Sequence, residues 1–166
     1  MPSCRPEVIP SVLYQLMELK PGTILDVGAG HGKWGVLCDE YLRYWSNIVP
    51  QIDAVEVHGA YESHAYGVYR EVFQCDVMSM VGRGLLGKYD LVLLVDVIEH
   101  LSKEGGMRLL GECKGYLVST PNYWSEQGAC FGNEHERHVS QWTGSDFANH
   151  SITKGTVGGD HVLGWK

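Results

Sequence analysis

Residues 23–35 read TILDVGAGHGKWG, an apolar run that breaks into glycines and then resumes at helical spacing. TILDVG (23–28) has the composition of a buried strand, and KWGVLCDEYLRYWS (33–46) places its apolar side chains as an amphipathic helix does. Gly28 and Gly30 let the backbone turn tightly between the two and let a ligand approach without meeting a Cβ. The helix that follows offers free N–H groups at its start. A strand, a glycine turn and a helix in that order open a βαβ unit.

The same alternation recurs on either side. Further strands are predicted at IDAVEV (52–57), EVFQCDV (71–77), YDLVLLVDVI (89–98) and GYLVSTP (115–121), the fourth strand of the series being the most apolar and so central. Helices are predicted over 7–19, stopped by Pro21-Gly22, over 60–70, and over 103–113 with Ser102 as cap. This is the pattern of an α/β, Rossmann-like doubly wound sheet, mostly parallel, with helices on both faces. Residues 121–142 break the rhythm and are expected to form a functional loop, a lid over the substrate. TGSDF (143–147) is then expected to start a helix capped by Thr143 or Ser145. SITKGTV (151–157) and HVLGW (161–165) read as a terminal antiparallel hairpin on a glycine turn, for about seven strands in all. Tyr41, Tyr44 and Trp45, at helical spacing, are expected to face the core.

Composition sets the limits. The chain has 166 residues, 44% hydrophobic and 20% charged, which suits one domain with its own core. A net charge of −7 speaks against a broad grip on nucleic acid or on an anionic membrane. No apolar run approaches the ~20 residues of a membrane span. Five cysteines without a C-x-x-C pair, and an N-terminus without a signal-peptide pattern, lead us to expect a cytoplasmic protein with reduced thiols.

Three nucleotide-binding patterns compete for the glycine turn. A P-loop fails, because Val27 stands where its first glycine belongs and Trp34 follows Lys33. A dinucleotide fingerprint is one residue too long for Gly28-x-Gly30-x-Gly32, although Gly35 blurs the count. The D-x-G-x-G-x-G loop that holds S-adenosylmethionine fits best, since Asp26 suits the cofactor's cationic amino end and would repel a pyrophosphate. A glycine turn without any ligand is the remaining alternative. Other residues at predicted strand ends favour a ligand. Glu56, next to Val57, can take both hydroxyls of a ribose. Asp76 can accept from an exocyclic amine while Val77 packs on a base, and Asp96 ends the fourth strand. Open α/β sheets bind their ligands at this edge.

With these residues in place, the chain resembles the class I S-adenosylmethionine-dependent methyltransferases. The matching stretches are ILDVGAGHG (24–32), Glu56, Asp76-Val77, YDLVLLVDVIEHL (89–101) and LVSTP (117–121). DVIEHL (96–101) is similar to the branch that includes ubiquinone-pathway O-methyltransferases. The resemblance implies that Asp26, Gly28, Ala29 and Gly30 hold the methionine portion, Glu56 and Val57 the ribose side, Asp76 and Val77 the adenine, and that Asp96 lies beside the sulfonium. Asp96-Val97-Ile98-Glu99 is not the motif of amide or exocyclic-amine N-methyltransferases, which disfavours those acceptors; the expected acceptor is an oxygen on a small molecule or a sugar, with other nitrogens and carbon left open. A hydroxyl acceptor needs a base or a metal to take its proton; His100 and His138 are the candidates.

Small-RNA 3′-terminal 2′-O-methyltransferases offer an alternative resemblance. Their Glu-x-x-Glu-His motif and later histidine bind a divalent metal; here Asp96, Glu99, His100 and His138, ahead of Trp142-Thr143, match, with Asp96 replacing the first glutamate. Because carboxylate-plus-histidine spacing is permissive, the expectation is a site without metal. A further alternative is a non-catalytic module that keeps the cofactor pocket. The compact chain also leaves room for a partner or a homodimer to complete the substrate site.

Overall fold

In the computed structural model, which describes residues 3–154 and 160–166, one seven-stranded sheet runs in the order β3-β2-β1-β4-β5-β7-β6. The strands are β1 (Thr23–Val27), β2 (Gln51–Val55), β3 (Glu71–Phe73), β4 (Leu91–Val95), β5 (Tyr116–Pro121), β6 (Asn149–Lys154) and β7 (Asp160–Trp165). β1 to β5 are parallel; β7 lies antiparallel to both β5 and β6. This is the Rossmann-like doubly wound sheet with a C-terminal antiparallel pair that the sequence predicts. The glycine turn expected between the last two strands lies outside the described residues.

Alternation along each strand divides the core. Ile24 and Leu93 face the layer built by α1 (Ile9–Leu19) and α2 (Lys33–Trp45). Leu25 and Leu94 face α3 (Lys103–Glu112), Trp142 and Phe147. β4 is buried at every position, as a central parallel strand should be.

Two expected helices are corrected. Residues 60–70 form two short 3₁₀ turns, Gly59–Tyr61 and His64–Val68. Their side chains are drawn to separate tertiary partners: Tyr61 reaches Glu136, Tyr66 reaches the carbonyl of Gly30, and Tyr69 reaches Asp26. One straight helix cannot serve all three. The helix expected from TGSDF is a single 3₁₀ turn, Gly144–Asp146; its Thr143–Asp146 capping box forms, but Phe147 turns into the core and β6 begins two residues later. The aromatic run is corrected as well. Tyr41 packs on the core, but Tyr44 and Trp45 are 73% and 74% exposed at the end of α2.

Trp142 joins the lower layer to the edge of the sheet. It is fully buried, stacks on Phe147, lies under the Lys103 ammonium, and donates from Nε1 to Ile98 O at 3.2 Å and Ser140 Oγ at 2.8 Å. A Cβ at Gly106 would come within 2.5 Å of its ring, so α3 approaches it with a glycine face. Trp142→Ala is expected to cost about 3–5 kcal/mol, a fall in Tm of roughly 10 °C in a thermal melt.

Candidate functional site

The carboxyl ends of β1, β2 and β4 open onto a cleft of about 300 Å³. Nine residues singled out in the sequence line it: Gly28, Ala29 and Gly30 after β1, Glu56 and Val57 after β2, Asp76 and Val77 beyond β3, and Asp96 and His100 after β4. Asp26 and His138 are not among the lining residues.

The glycine loop holds itself in place. Gly28 and Ala29 donate N–H to Val55 O, at 2.8 and 3.2 Å, and Gly32 donates to Ala29 O at 2.8 Å. Gly30 donates to Glu56 Oε2 at 2.9 Å, while His58 N donates to Glu56 Oε1 at 2.8 Å. The buried Glu56 carboxylate is thus fixed by two backbone donors, and each oxygen keeps a lone pair for a ligand. Gly28, Gly30 and Gly32 all have positive φ, and a Cβ at Gly28 would meet Val97 at 2.7 Å. Asp76 accepts from Met78 N at 2.8 Å and stays exposed beside the buried Val77.

Asp26 turns inward. Its Oδ2 accepts the Tyr69 hydroxyl at 2.5 Å, and the Tyr69 oxygen accepts Gly35 N–H at 3.2 Å. Burial pushes the Asp26 carboxyl up to about 7, against the opposing pull of the Tyr69 hydrogen bond.

Asp96 has φ +54°, an uncommon conformation for a residue with a Cβ, and accepts from Ser119 Oγ at 3.2 Å. Burial raises its pKa. Behind it stands His161 of β7, buried, with Nε2 3.7 Å from Asp96 Oδ1. Burial lowers the His161 pKa and favours the neutral ring. Nothing in the sequence pattern singles out His161.

Glu99, His100 and His138 meet just beyond β4, with one ligand atom from each within 4.8 Å of the others. The His100 and His138 rings sit edge to face at 4.9 Å. His100 Nδ1 donates to Arg137 O at 3.0 Å and His138 Nδ1 donates to Ser125 O at 2.6 Å, which assigns the lone pair of each ring to Nε2. Burial lowers the His100 pKa, keeping that ring neutral. Burial, reinforced by Asp96, raises the Glu99 pKa; its Oε2 accepts from Thr120 Oγ1 at 3.0 Å. Two imidazoles with Nδ1 tied to a carbonyl, beside a carboxylate, form a donor set suited to a divalent metal. Asp96, the fourth matching residue, does not join the group.

The 121–142 segment reaches the cleft through Asn133, His135 and Glu136. Glu99 O accepts from Val139 N and Ser140 N at 2.9 and 3.1 Å, and Tyr61 donates its hydroxyl to Glu136 Oε1 at 3.0 Å. The segment is therefore tied down on both sides of the cleft. Trp124 and Phe131 of this segment are exposed and, with Tyr123, stand outside the lining. The sequence reading missed Lys33, Tyr61 and the pair Ser3 and Cys4, all of which line the cleft. Lys33 had a signal, a cation directly after the glycine loop. Tyr61 had none, because its partner Glu136 lies 75 residues away.

Compared with known protein families and with curated proteins, the chain matches none. Solved structures do match. The methyltransferase domain of bacterial CtHen1 is 20% identical with a TM-score of 0.58, over 96% of both chains. The N-terminal domain of EvdMO1, determined in the presence of SAH and D-fucose, is 14% identical with a TM-score of 0.61, over 98% of this chain and 83% of that one. An O-methyltransferase family protein from Burkholderia thailandensis is 13% identical with a TM-score of 0.58. The match covers 94% of this chain but 55% of that protein, so the chain spans about half its length. At these identities the likeness establishes the fold alone, a Rossmann-like sheet shared with these methyltransferases. Among the described residues no helix is long and apolar enough to cross a membrane.

The Asp26 carboxyl gives a pH signature. Its pKa rises from 3.8 to about 7 on folding, so the folded state keeps a proton that the unfolded chain has lost. That contribution to stability is complete below pH 4, declines as pH rises to about 7, and is flat beyond. Asp26→Asn is expected to remove this slope. Across pH 4–7 the wild-type Tm should fall by roughly 10 °C more than that of the variant, as measured by thermal melts in matched buffers.

Proposed function

We propose that the chain is an S-adenosylmethionine-dependent methyltransferase that methylates an oxygen of a small molecule or a sugar. The observation that carries this reading is the placement of Glu56. It is buried at the end of β2, locked to Gly30 and His58, with the glycine loop on one side and Asp76-Val77 on the other. A pair of ribose hydroxyls can donate to it, the adenine can lie between Val57 and Val77, and Asp76 can accept from the exocyclic amine. Asp96 then faces the sulfonium. Asp26 supports the cofactor at one remove, by holding the loop through Tyr69. The DVIEHL stretch (96–101) supports placing the chain near the ubiquinone-pathway branch.

In the reaction the acceptor oxygen displaces the sulfur in line. An O–C bond forms as the C–S bond breaks, and the hydroxyl proton leaves to a base. The protein supplies proximity and orientation. His100, neutral and lining the cleft, presents Nε2 as the base, and His138 packs against its ring. The 121–142 segment closes the cleft against water as a lid.

The expected result is that SAH raises the Tm by several degrees while NAD does not. Glu56→Ala should weaken SAH at least about tenfold, because two charge-assisted hydrogen bonds are lost. His138→Ala should leave SAH affinity within about twofold and reduce turnover of an acceptor found in a panel of hydroxylated small molecules and sugars. Stabilisation by NAD and not by SAH would overturn the reading; tight SAH binding without turnover of any acceptor would favour a non-catalytic module.

The convergence of Glu99, His100 and His138 favours a second reading, metal-dependent 2′-O-methylation of an RNA 3′ end. Glu99 and the two Nε2 atoms would hold the ion. A bound divalent ion there would lower the pKa of a sugar hydroxyl. The net charge of −7 weighs against a polyanionic acceptor. On this second reading Mn²⁺ should raise the Tm of the wild type but not of His138→Ala, and a short RNA should shift on a low-salt gel. Failure of both tests leaves the small-acceptor reading.

A further inference from the structure

Beside the glycine loop the cleft contains a cation whose hydrogen-bond partners, among the described residues, are neutral. Lys33, the first residue of α2, lines it next to Gly28 and Gly30. Its Nζ donates to Ser3 Oγ at 2.7 Å and to Cys4 Sγ at 3.1 Å. Burial raises the Cys4 pKa, which keeps that group a neutral thiol. Among the described residues no carboxylate forms an ion pair with Lys33. Its field reaches Asp96 through space and favours the ionised form there, without a hydrogen bond. An ammonium has three donors, and two neutral acceptors leave one donor and the whole charge for an anion.

The loop sharpens the point. The N–H groups of Gly28, Ala29, Gly30 and Gly32 are all spent within the protein. These four backbone donors, which would otherwise serve an anion at such a turn, are already committed, and Lys33 brings positive charge to the same cleft.

We propose that Lys33, positioned by Ser3, binds the α-carboxylate of the cofactor's amino-acid end. The inference rests on the adenosyl reading of Glu56, Asp76 and Val77. With the nucleoside fixed there, the amino-acid arm runs along the glycine loop toward Lys33, and the segment carrying Ser3 and Cys4 covers that end of the cleft. Lys33 is then a specificity determinant. It separates ligands that carry the amino-acid carboxylate from those that carry only the thioether and nucleoside.

The test is calorimetric titration of wild type, Lys33→Met and Lys33→Arg with two ligands, SAH and 5′-methylthioadenosine, which has the same nucleoside and sulfur but no amino acid. Lys33→Met is expected to weaken SAH by about 10–100-fold and to leave 5′-methylthioadenosine within about twofold. Lys33→Arg should recover most of the SAH affinity. Thermal melts of the ligand-free variants should match wild type within a few degrees, since the side chain lies at a cleft rim. Equal weakening of both ligands, or of neither, would overturn the assignment. If the wild type binds neither ligand, the adenosyl reading itself fails and takes this inference with it. That outcome is distinct from a wild type that binds SAH and a Met variant that binds it equally well.

Discussion

Inside the protein, Tyr69 donates its hydroxyl proton to Asp26 Oδ2 and accepts the Gly35 N–H on the same oxygen. These bonds fasten the end of β1, the first turn of α2 and the stretch leading into β3. They can be so short because α2 brings a glycine to the crossing: a Cβ at Gly35 would stand 2.5 Å from the Tyr69 ring. Buried polar groups of this kind carry a penalty unless each finds its partner, and here the partners are found across three segments. The glycine loop is laid over that pin. Its N–H groups close on Val55, Glu56 and Ala29, so its shape does not wait for a ligand.

A loop that satisfies its own donors leaves recognition to the side chains around it. Glu56 is both a strut and a binding group, because two backbone donors fix its carboxylate and its remaining lone pairs face the cleft. Tyr66 closes the other side by donating to Gly30 O at 2.7 Å. The geometry is therefore set in advance, which reduces the ordering cost of binding.

What the sequence disclosed follows from the range of each interaction. β1, β2, β4 and β5 are apolar runs ending in glycine, acid or proline, so composition alone marks them, although each spans fewer residues than its run. The lining residues Gly28, Glu56 and Asp96 were legible because they directly follow strands, whose carboxyl ends form the ligand edge of parallel sheets; Val77 lies four residues past the shorter β3, in a 3₁₀ turn. Residues 60–70 were misread because the tyrosines there answer to Asp26, Gly30 and Glu136, none of which a local period can see. Asp26 itself shows both sides of this. Its position after β1 was legible, but its inward turn depends on Tyr69, 43 residues on. The grouping of Glu99, His100 and His138 is implied by the resemblance to small-RNA methyltransferases, yet its geometry depends on carbonyls of Ser125 and Arg137 that no motif contains.

Two acid groups just beyond β4, Asp96 in the cleft lining and Glu99 buried behind it, set an electrostatic condition on whatever binds. Asp96, partly exposed, and Glu99, fully buried, are three residues apart, and each is held above the ordinary carboxylate range mainly by burial, with the charge of Asp96 pushing Glu99 further. Two such groups are not both ionised without positive charge nearby. Inside the protein, the positive charge of Lys33 acts on Asp96 through space. A cationic sulfonium beside Asp96 would complete that balance, and it would be lost when the methyl group leaves and the sulfur becomes neutral. Asp96 would then revert toward its protonated form, weakening its hold on the product relative to the methyl donor. On the proposed adenosyl reading, Asp96 would thus favour the charged sulfonium over the neutral thioether it becomes.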